Sequence, residues 1–150
     1  ASDLRRVTSA LKMITDMERI GDQAADIAEI IKTGNLKAPA EALGMGKMAK
    51  ATMKMVRDSI DSFVKDDLDL AKQVIDADDE VDGQFEQIRH MLADGLVNKS
   101  ATQEQVLDLL MIAKYYERIG DHATNIAEWV VYSITGVHKS AELTERKEQE

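Results

Sequence analysis

"ERIGDQAADIAE" occupies residues 18–29, and "ERIGDHATNIAE" occupies residues 117–128. Extended by one position, to Met17 and Tyr116, the two stretches share 9 identities in 13 aligned residues at an offset of 99. Chance does not produce that agreement in 150 residues, so the chain carries an internal repeat. Apolar residues flanking each copy recur at steps of three and four, the period of a helix. The repeat therefore predicts two equivalent long helices, one near each end of the chain.

The composition agrees. Hydrophobic residues make up 44% of 150 residues, enough for one domain with a real core. A single Pro, eight Gly and 4% aromatics leave a chain dominated by helix formers. No apolar run is long enough for a membrane span, and no signal-peptide pattern is present. The absence of Cys excludes disulfides and thiolate metal sites and suits a reducing compartment. A net charge of −9 argues against nucleic acid and anionic lipid, and leaves cations and basic protein surfaces as partners.

Four helices are expected. The first runs from about Ser2 to Thr33, with Leu4, Val7, Leu11 and Ile14 on its seam, and ends where Gly34 or Asn35 takes a left-handed cap. The second begins near Pro39 and carries Met45, Met48, Met55, Val56, Ile60 and Phe63 to about Lys65. Asp66 or Asp67 caps the third, which ends at Gly95. Ser100 or Thr102 caps the fourth, which runs to Thr135 and Gly136. Residues 137–150 form a polar tail. Connections this short force antiparallel neighbours, so the expected architecture is an all-α, elongated antiparallel helical bundle. The chain starts without Met and its seam is already running at Leu4, which predicts a piece cut from a longer protein.

Carboxylates interrupt the seams at matching places. On the fourth helix the seam reads Ala113, Glu117, Gly120, Thr124, with Asp121 one turn beyond Glu117. The first helix repeats this with Ile14, Glu18, Gly21 and Ala25, and Asp22 beside them. A glycine costs about 1 kcal/mol in a helix interior, so its place beside an inward acid points to a close neighbour. On the third helix Asp78 falls on the seam and Asp82 one turn on. In an antiparallel hairpin facing residues have a constant sum, and 78 with 121 and 82 with 117 both give 199. Asp78, Asp82, Glu117 and Asp121 are thus expected to converge on one patch.

Bare, they would repel strongly: at about 4 Å and an effective dielectric near 20, each like-charge pair costs on the order of 4 kcal/mol. Protonation, protein cations or a bound metal relieves this. The plain alternative is intrahelical ion pairing, with Arg118 three residues before Asp121, Arg19 three before Asp22 and Lys114 three before Glu117. It accounts for the charges but for neither the glycines nor the facing acid pair. Facing helices with paired acid turns are how bundle cores hold oxygen-coordinated metals.

The duplicated "ERIGD" turns, each with a Glu seven residues after its Asp, resemble the PhoU family of phosphate-signalling proteins. So do "SDLRRVTSALKMITDMERIGDQAADIAE" and "FVKDDLDLAKQVIDADDEVD". The resemblance implies two similar three-helix repeats, of which residues 1–34 supply the last helix of the first and residues 38–136 all of the second. It further implies a non-enzymatic, cytoplasmic regulator, held at the inner face of the membrane through its partners. Those partners are a phosphate-specific ABC transporter and a sensor histidine kinase, and the role is to restrain phosphate-starvation signalling. Family members bind iron, zinc or other divalent ions through paired acid motifs, which here fall on Asp78/Asp82 with Glu117/Asp121. Glu18 and Asp22 supply half of a second site. All-oxygen ligands by themselves favour magnesium or manganese.

A carboxylate-bridged di-metal oxidase would need Glu-x-x-His turns, but Gln87, Ile119 and Thr135 precede the three histidines at that spacing. His90 is the one candidate for phosphotransfer, and a surface role suits it better. His122 is expected to point into solvent. Asp26, Asn125, Glu29 and Glu128 either extend the acid site or pair with lysines. Asp76, Asp79 and Glu80 read as a solvated face, and the methionines of the second helix as core filling. With its seam short of partners, the first helix predicts a homodimer or exchange of that helix between chains.

Overall fold

Five helices succeed one another: α1 (Ser2–Thr33), α2 (Lys37–Ala42), α3 (Met45–Val64), α4 (Leu68–Val97) and α5 (Gln103–Thr135). The computed structural model describes residues 1–97 and 99–138, and every regular element among them is an α-helix. The expected polar tail lies outside the described residues from position 139 onward.

Local chemistry explains most of the boundaries. Asp67 accepts a hydrogen bond from the Leu70 amide at 3.0 Å, capping α4. Thr102 and Gln105 form a reciprocal capping box that starts α5. Gly136 stops α5 in the left-handed conformation, at φ 79°. The expected left-handed stop after α1 is absent, because Gly34 is extended at φ −101° and ψ 148°. Glycine is needed there for space: Leu36 folds back so closely that a Cβ would lie 2.8 Å from its Cγ. The second expected helix is also two, because Gly44 adopts φ 71° and breaks the run between α2 and α3.

The long helix α5 is the axis of the molecule, with α1, α3 and α4 packed around it. Helices α3, α4 and α5 form the antiparallel three-helix unit. Its core includes Met48, Val74, Val81, Leu109, Ile126 and Val130, all 2% exposed or less. Each such side chain stabilises the fold by about 1.5–3 kcal/mol relative to exposure. Three of the four methionines of α3 fill this core, whereas Met53 is 57% exposed.

Helix α1 lies antiparallel on α5. Arg5 reaches Gly136, Asp16 bonds His122, and Gln105 donates to the Asn35 carbonyl, so facing numbers add to about 140. At the repeat offset of 99, the equivalents Ile20 and Ile119 face each other, so the two "ERIGD" copies cross at the pseudo-symmetric centre. Met13 and Ile27 of α1 are buried there, as are their counterparts Ile112 and Ile126.

This contact corrects the expected seam. Leu4, Val7, Leu11 and Ile14 are 71%, 58%, 63% and 56% exposed, because α1 meets α5 through a neighbouring stripe. On α5 the equivalents Val106 and Leu110 are half-buried against the core and Ala113 is fully buried in it. Helix α5 is therefore buried on two faces and α1 on one. At its start α1 is fastened to the α3–α4 turn by Arg6. Arg6 pairs with Asp66, donates to the Phe63 carbonyl and stacks 4.5 Å above the Phe63 ring.

Candidate metal centre

Helices α4 and α5 bring Asp78, Asp82 and Asp121 together, with one carboxylate oxygen from each lying within 4.8 Å of the others. The geometry follows from the hairpin register. Asp78 and Asp82 sit one turn apart on α4, and α5 passes them with Asp121 opposite. The helices are close at Gly120: a Cβ there would make ordinary contact, 3.5 Å from Val81 Cγ1 and 3.8 Å from Asp78 Oδ1. Anything larger than a methyl group would push α4 and its acids away.

Burial raises the pKa of all three aspartates above the usual carboxylate value, and mutual repulsion adds to it. For Asp78 the largest charge effect comes from Asp121, and for Asp121 it comes from Asp82. Lys114 and His122 oppose the shift at Asp121. None of the three aspartates forms an ion pair among the described residues, and Asp78 Oδ1 is buried without a hydrogen-bond partner.

Thr124 adds a second unsatisfied oxygen. It is 9% exposed and its hydroxyl completes no hydrogen bond, although it lies near enough to Asp78 to favour that carboxylate. Oxygen donors alone, three of them anionic and two uncompensated, match the coordination preferences of a hard divalent cation. Thr124 was legible as a seam position three residues after Asp121, but only packing makes its hydroxyl an orphan.

Glu117 stands at the edge of this group. Its charge raises the pKa of all three aspartates, but its carboxylate is bonded to Lys114 Nζ at 3.0 Å. Of the three intrahelical ion pairs weighed in the sequence, this is the one present among the described residues. Arg118 instead lies 5.8 Å from the centre of the Tyr115 ring.

Glu18 and Asp22 are exposed and do not join the Asp78–Asp82–Asp121 cluster, and nothing lies within 4 Å of a Cβ built at Gly21. His122, expected in solvent, is instead 15% exposed and bonded through Nδ1 to Asp16 Oδ1 at 3.0 Å. The cause is again the position of α1, which covers that side of α5. Asn125 donates to the same Asp16 oxygen, Asp26 and Glu29 are exposed, and Glu128 is partly buried. Asp76, Asp79, Glu80 and His90 face solvent. Two apolar clefts of about 450 and 480 Å³ share Ile31 and Tyr116 as lining, and neither contains an acid of the cluster.

The PhoU domain model matches residues 1–31 and 45–130. The two matches end 99 residues apart, at the offset of the internal repeat. The chain is similar to the phosphate-specific transport system accessory protein PhoU homolog of Clostridium acetobutylicum. That relative is 38% identical over 140 residues, covering 91% of this chain and 63% of its own length. The corresponding homolog of Pseudomonas aeruginosa is 33% identical and covers 99% of this chain and 63% of its own. The chain thus spans a little under two thirds of these curated relatives.

Among solved structures, the crystal structure of PhoU from Pseudomonas aeruginosa matches with a TM-score of 0.81 at 34% identity, over 91% of this chain and 66% of that one. The phosphate transport system regulatory protein PhoU from Streptococcus pneumoniae gives a TM-score of 0.82 at 28% identity, over 92% and 66%. These relatives are named as accessory and regulatory proteins, not as enzymes. With nearly the whole helical assembly matched and the duplicated acid motif inside both matched segments, the chain belongs to the PhoU family.

Proposed function

We propose that this chain is a metal-binding, cytoplasmic regulator of phosphate uptake and phosphate-starvation signalling. It acts by binding a phosphate-specific ABC transporter and a sensor histidine kinase. The names of its relatives support the link to phosphate transport. Residues 38–136 act as one complete repeat, and residues 1–34 are the closing helix of another.

The observation that carries the metal reading is the convergence of Asp78, Asp82 and Asp121 around a buried Asp78 oxygen that has no hydrogen-bond partner. Asp78, Asp82 and Asp121 would hold the ion, with Glu117 beside them. Magnesium or manganese suits an all-oxygen site, and iron or zinc is the choice implied by the family. Bound there, the ion supplies charge neutralisation that locks α4 to α5, without any turnover. Among the described residues, neutralisation of the acids by ion pairing alone is favoured only by the Lys114–Glu117 bridge.

The exposed stripe of Leu4, Val7, Leu11 and Ile14 supports association through α1, as a homodimer or with helix exchange. Two measurements test the reading. The purified chain should retain transporter or kinase components in a pull-down, and elemental analysis should find metal that is lost in an Asp78→Asn, Asp121→Asn variant. Steady oxygen consumption by the metal-loaded protein would replace the regulator with an enzyme.

A further inference from the structure

Lys114 is the cation best placed to oppose a metal ion. Its Nζ lies 3.0 Å from Glu117 Oε1 and 5.1 Å from the centroid of the Phe85 ring, so two contacts hold it beside the acids. Glu117 is only 17% exposed and Lys114 41%, so the bridge is partly withdrawn from water. Glu117 also precedes Asp121 by one helical turn and falls opposite Asp82 in the hairpin register. It has the chemistry of a fourth ligand, but its Oε1 is held by Lys114.

We propose that Lys114 is an internal competitor for the metal. It holds Glu117 in the metal-free protein, and a divalent cation bound by Asp78, Asp82 and Asp121 displaces the ammonium and recruits Glu117. The proposal rests on the metal reading of the aspartate cluster, which the buried Asp78 Oδ1 without a hydrogen-bond partner and the buried Thr124 hydroxyl beside it support.

Two consequences follow from electrostatics. A monovalent ammonium near the cluster lowers repulsion without satisfying the buried Asp78 oxygen, so it stabilises the empty site and weakens divalent binding. A divalent ion repels the ammonium and offers Glu117 a stronger partner, so occupancy opens the bridge. The first repeat lacks this device: at the offset of 99, the position of Lys114 is taken by Thr15. Two acid turns of nearly the same sequence are therefore tuned differently, and Lys114 sets the affinity of the second.

The test is Mn²⁺ binding by titration calorimetry on the whole chain, comparing wild type with Lys114→Met, Lys114→Gln and Lys114→Arg. Methionine keeps the apolar stem on Phe85 and removes the charge. Glutamine is a second neutral variant, so the result does not depend on one side chain's effect on folding. Both neutral variants should bind Mn²⁺ about five- to tenfold more tightly, the scale of a partly exposed ion pair acting against a divalent ion. Lys114→Arg should stay within about twofold of wild type. Adding Glu117→Gln should remove the gain from Lys114→Met, because the two residues act as a coupled pair. Neutral variants that bind no more tightly than a binding wild type would overturn the role of Lys114 and leave the metal site standing. A wild type that takes up no Mn²⁺ would overturn both.

Discussion

Replacing Asp121 by asparagine should stabilise the metal-free protein and weaken its response to metal. Asp78, Asp82 and Asp121 present oxygens within 4.8 Å of one another. At that separation and an effective dielectric near 20, each pair of ionised carboxylates repels by about 3.5 kcal/mol. Side-chain rotation, salt and the exposure of Asp121 reduce this sharply, so the expected gain is about 1 kcal/mol. For a domain of this size that is about 3–4 °C in melting temperature. With Mn²⁺ at about 100 times its dissociation constant, wild type should gain about 2.7 kcal/mol. A variant binding tenfold or more weakly should gain about 1.4 kcal/mol or less.

The pH dependence carries the same sign. The pKa of each aspartate is raised above its ordinary value of 3.8, so the folded protein holds protons that the unfolded chain has released. The stability from that protonation is complete below the ordinary value and is lost as pH rises through the raised folded values. Metal-free wild type should therefore lose stability relative to Asp121→Asn as pH rises from just above 4 towards neutrality. Melting both proteins in EDTA and in Mn²⁺ across this range measures every term. If Asp121→Asn melts at or below wild type in EDTA at pH 7, the cluster is not under electrostatic tension and the reasoning fails.

Other perturbations separate packing from the site. Glu18→Ala with Asp22→Ala should leave the Mn²⁺-dependent shift intact, whereas Glu117→Ala with Asp121→Ala should abolish it; thermal melts with and without Mn²⁺ compare the two. Gly21→Ala should stabilise by about 0.5–1 kcal/mol, since an added methyl group meets nothing and helix propensity improves, as urea denaturation would show. Gly120→Leu, by contrast, should cost about 1–3 kcal/mol in the same assay and weaken Mn²⁺ binding, because it overpacks Val81 and Met55. Substituting the exposed Leu11 and Ile14 of α1 with serine should shift any dimer towards monomer in analytical ultracentrifugation without lowering the melting temperature of the monomer.

Helix number and site register were legible to different degrees, for physical reasons. The antiparallel sum of 199 located the α4–α5 acids because hairpin pairing is local and each helix keeps a strict period. The caps at Asp67, Thr102 and Gly136 followed from side-chain and backbone chemistry within four residues. The break at Gly44 was missed because a lone glycine in a helical pattern is as compatible with continuation as with a left-handed residue. The orientation of α1 was misread for a different reason. Its sequence carries two apolar stripes, Leu4–Val7–Leu11–Ile14 and Met13–Ile20–Ile27, and periodicity cannot say which of them meets α5. His122 went with it, since its burial depends entirely on where Asp16 arrives.

The two "ERIGD" copies make the limit of sequence reading concrete. Glu18 and Glu117 are followed by the same four residues, Arg-Ile-Gly-Asp, yet one is exposed and the other is 17% exposed and bonded to a lysine. Nothing within the motif makes that difference. It arises because α4 lies against one copy, bringing Asp78 and Asp82, while the pseudo-symmetry of the α1–α5 pair turns the other copy's acids to the opposite side. Gly21 and Gly120 differ in the same way: one meets open space, the other lets an aspartate oxygen stand 3.8 Å from where its Cβ would be. A duplicated acid turn is thus a half-site, and a helix hairpin with acids in register is the other half. Joined, they hold three carboxylates with oxygens within 4.8 Å of one another; apart, the same residues are a solvated surface.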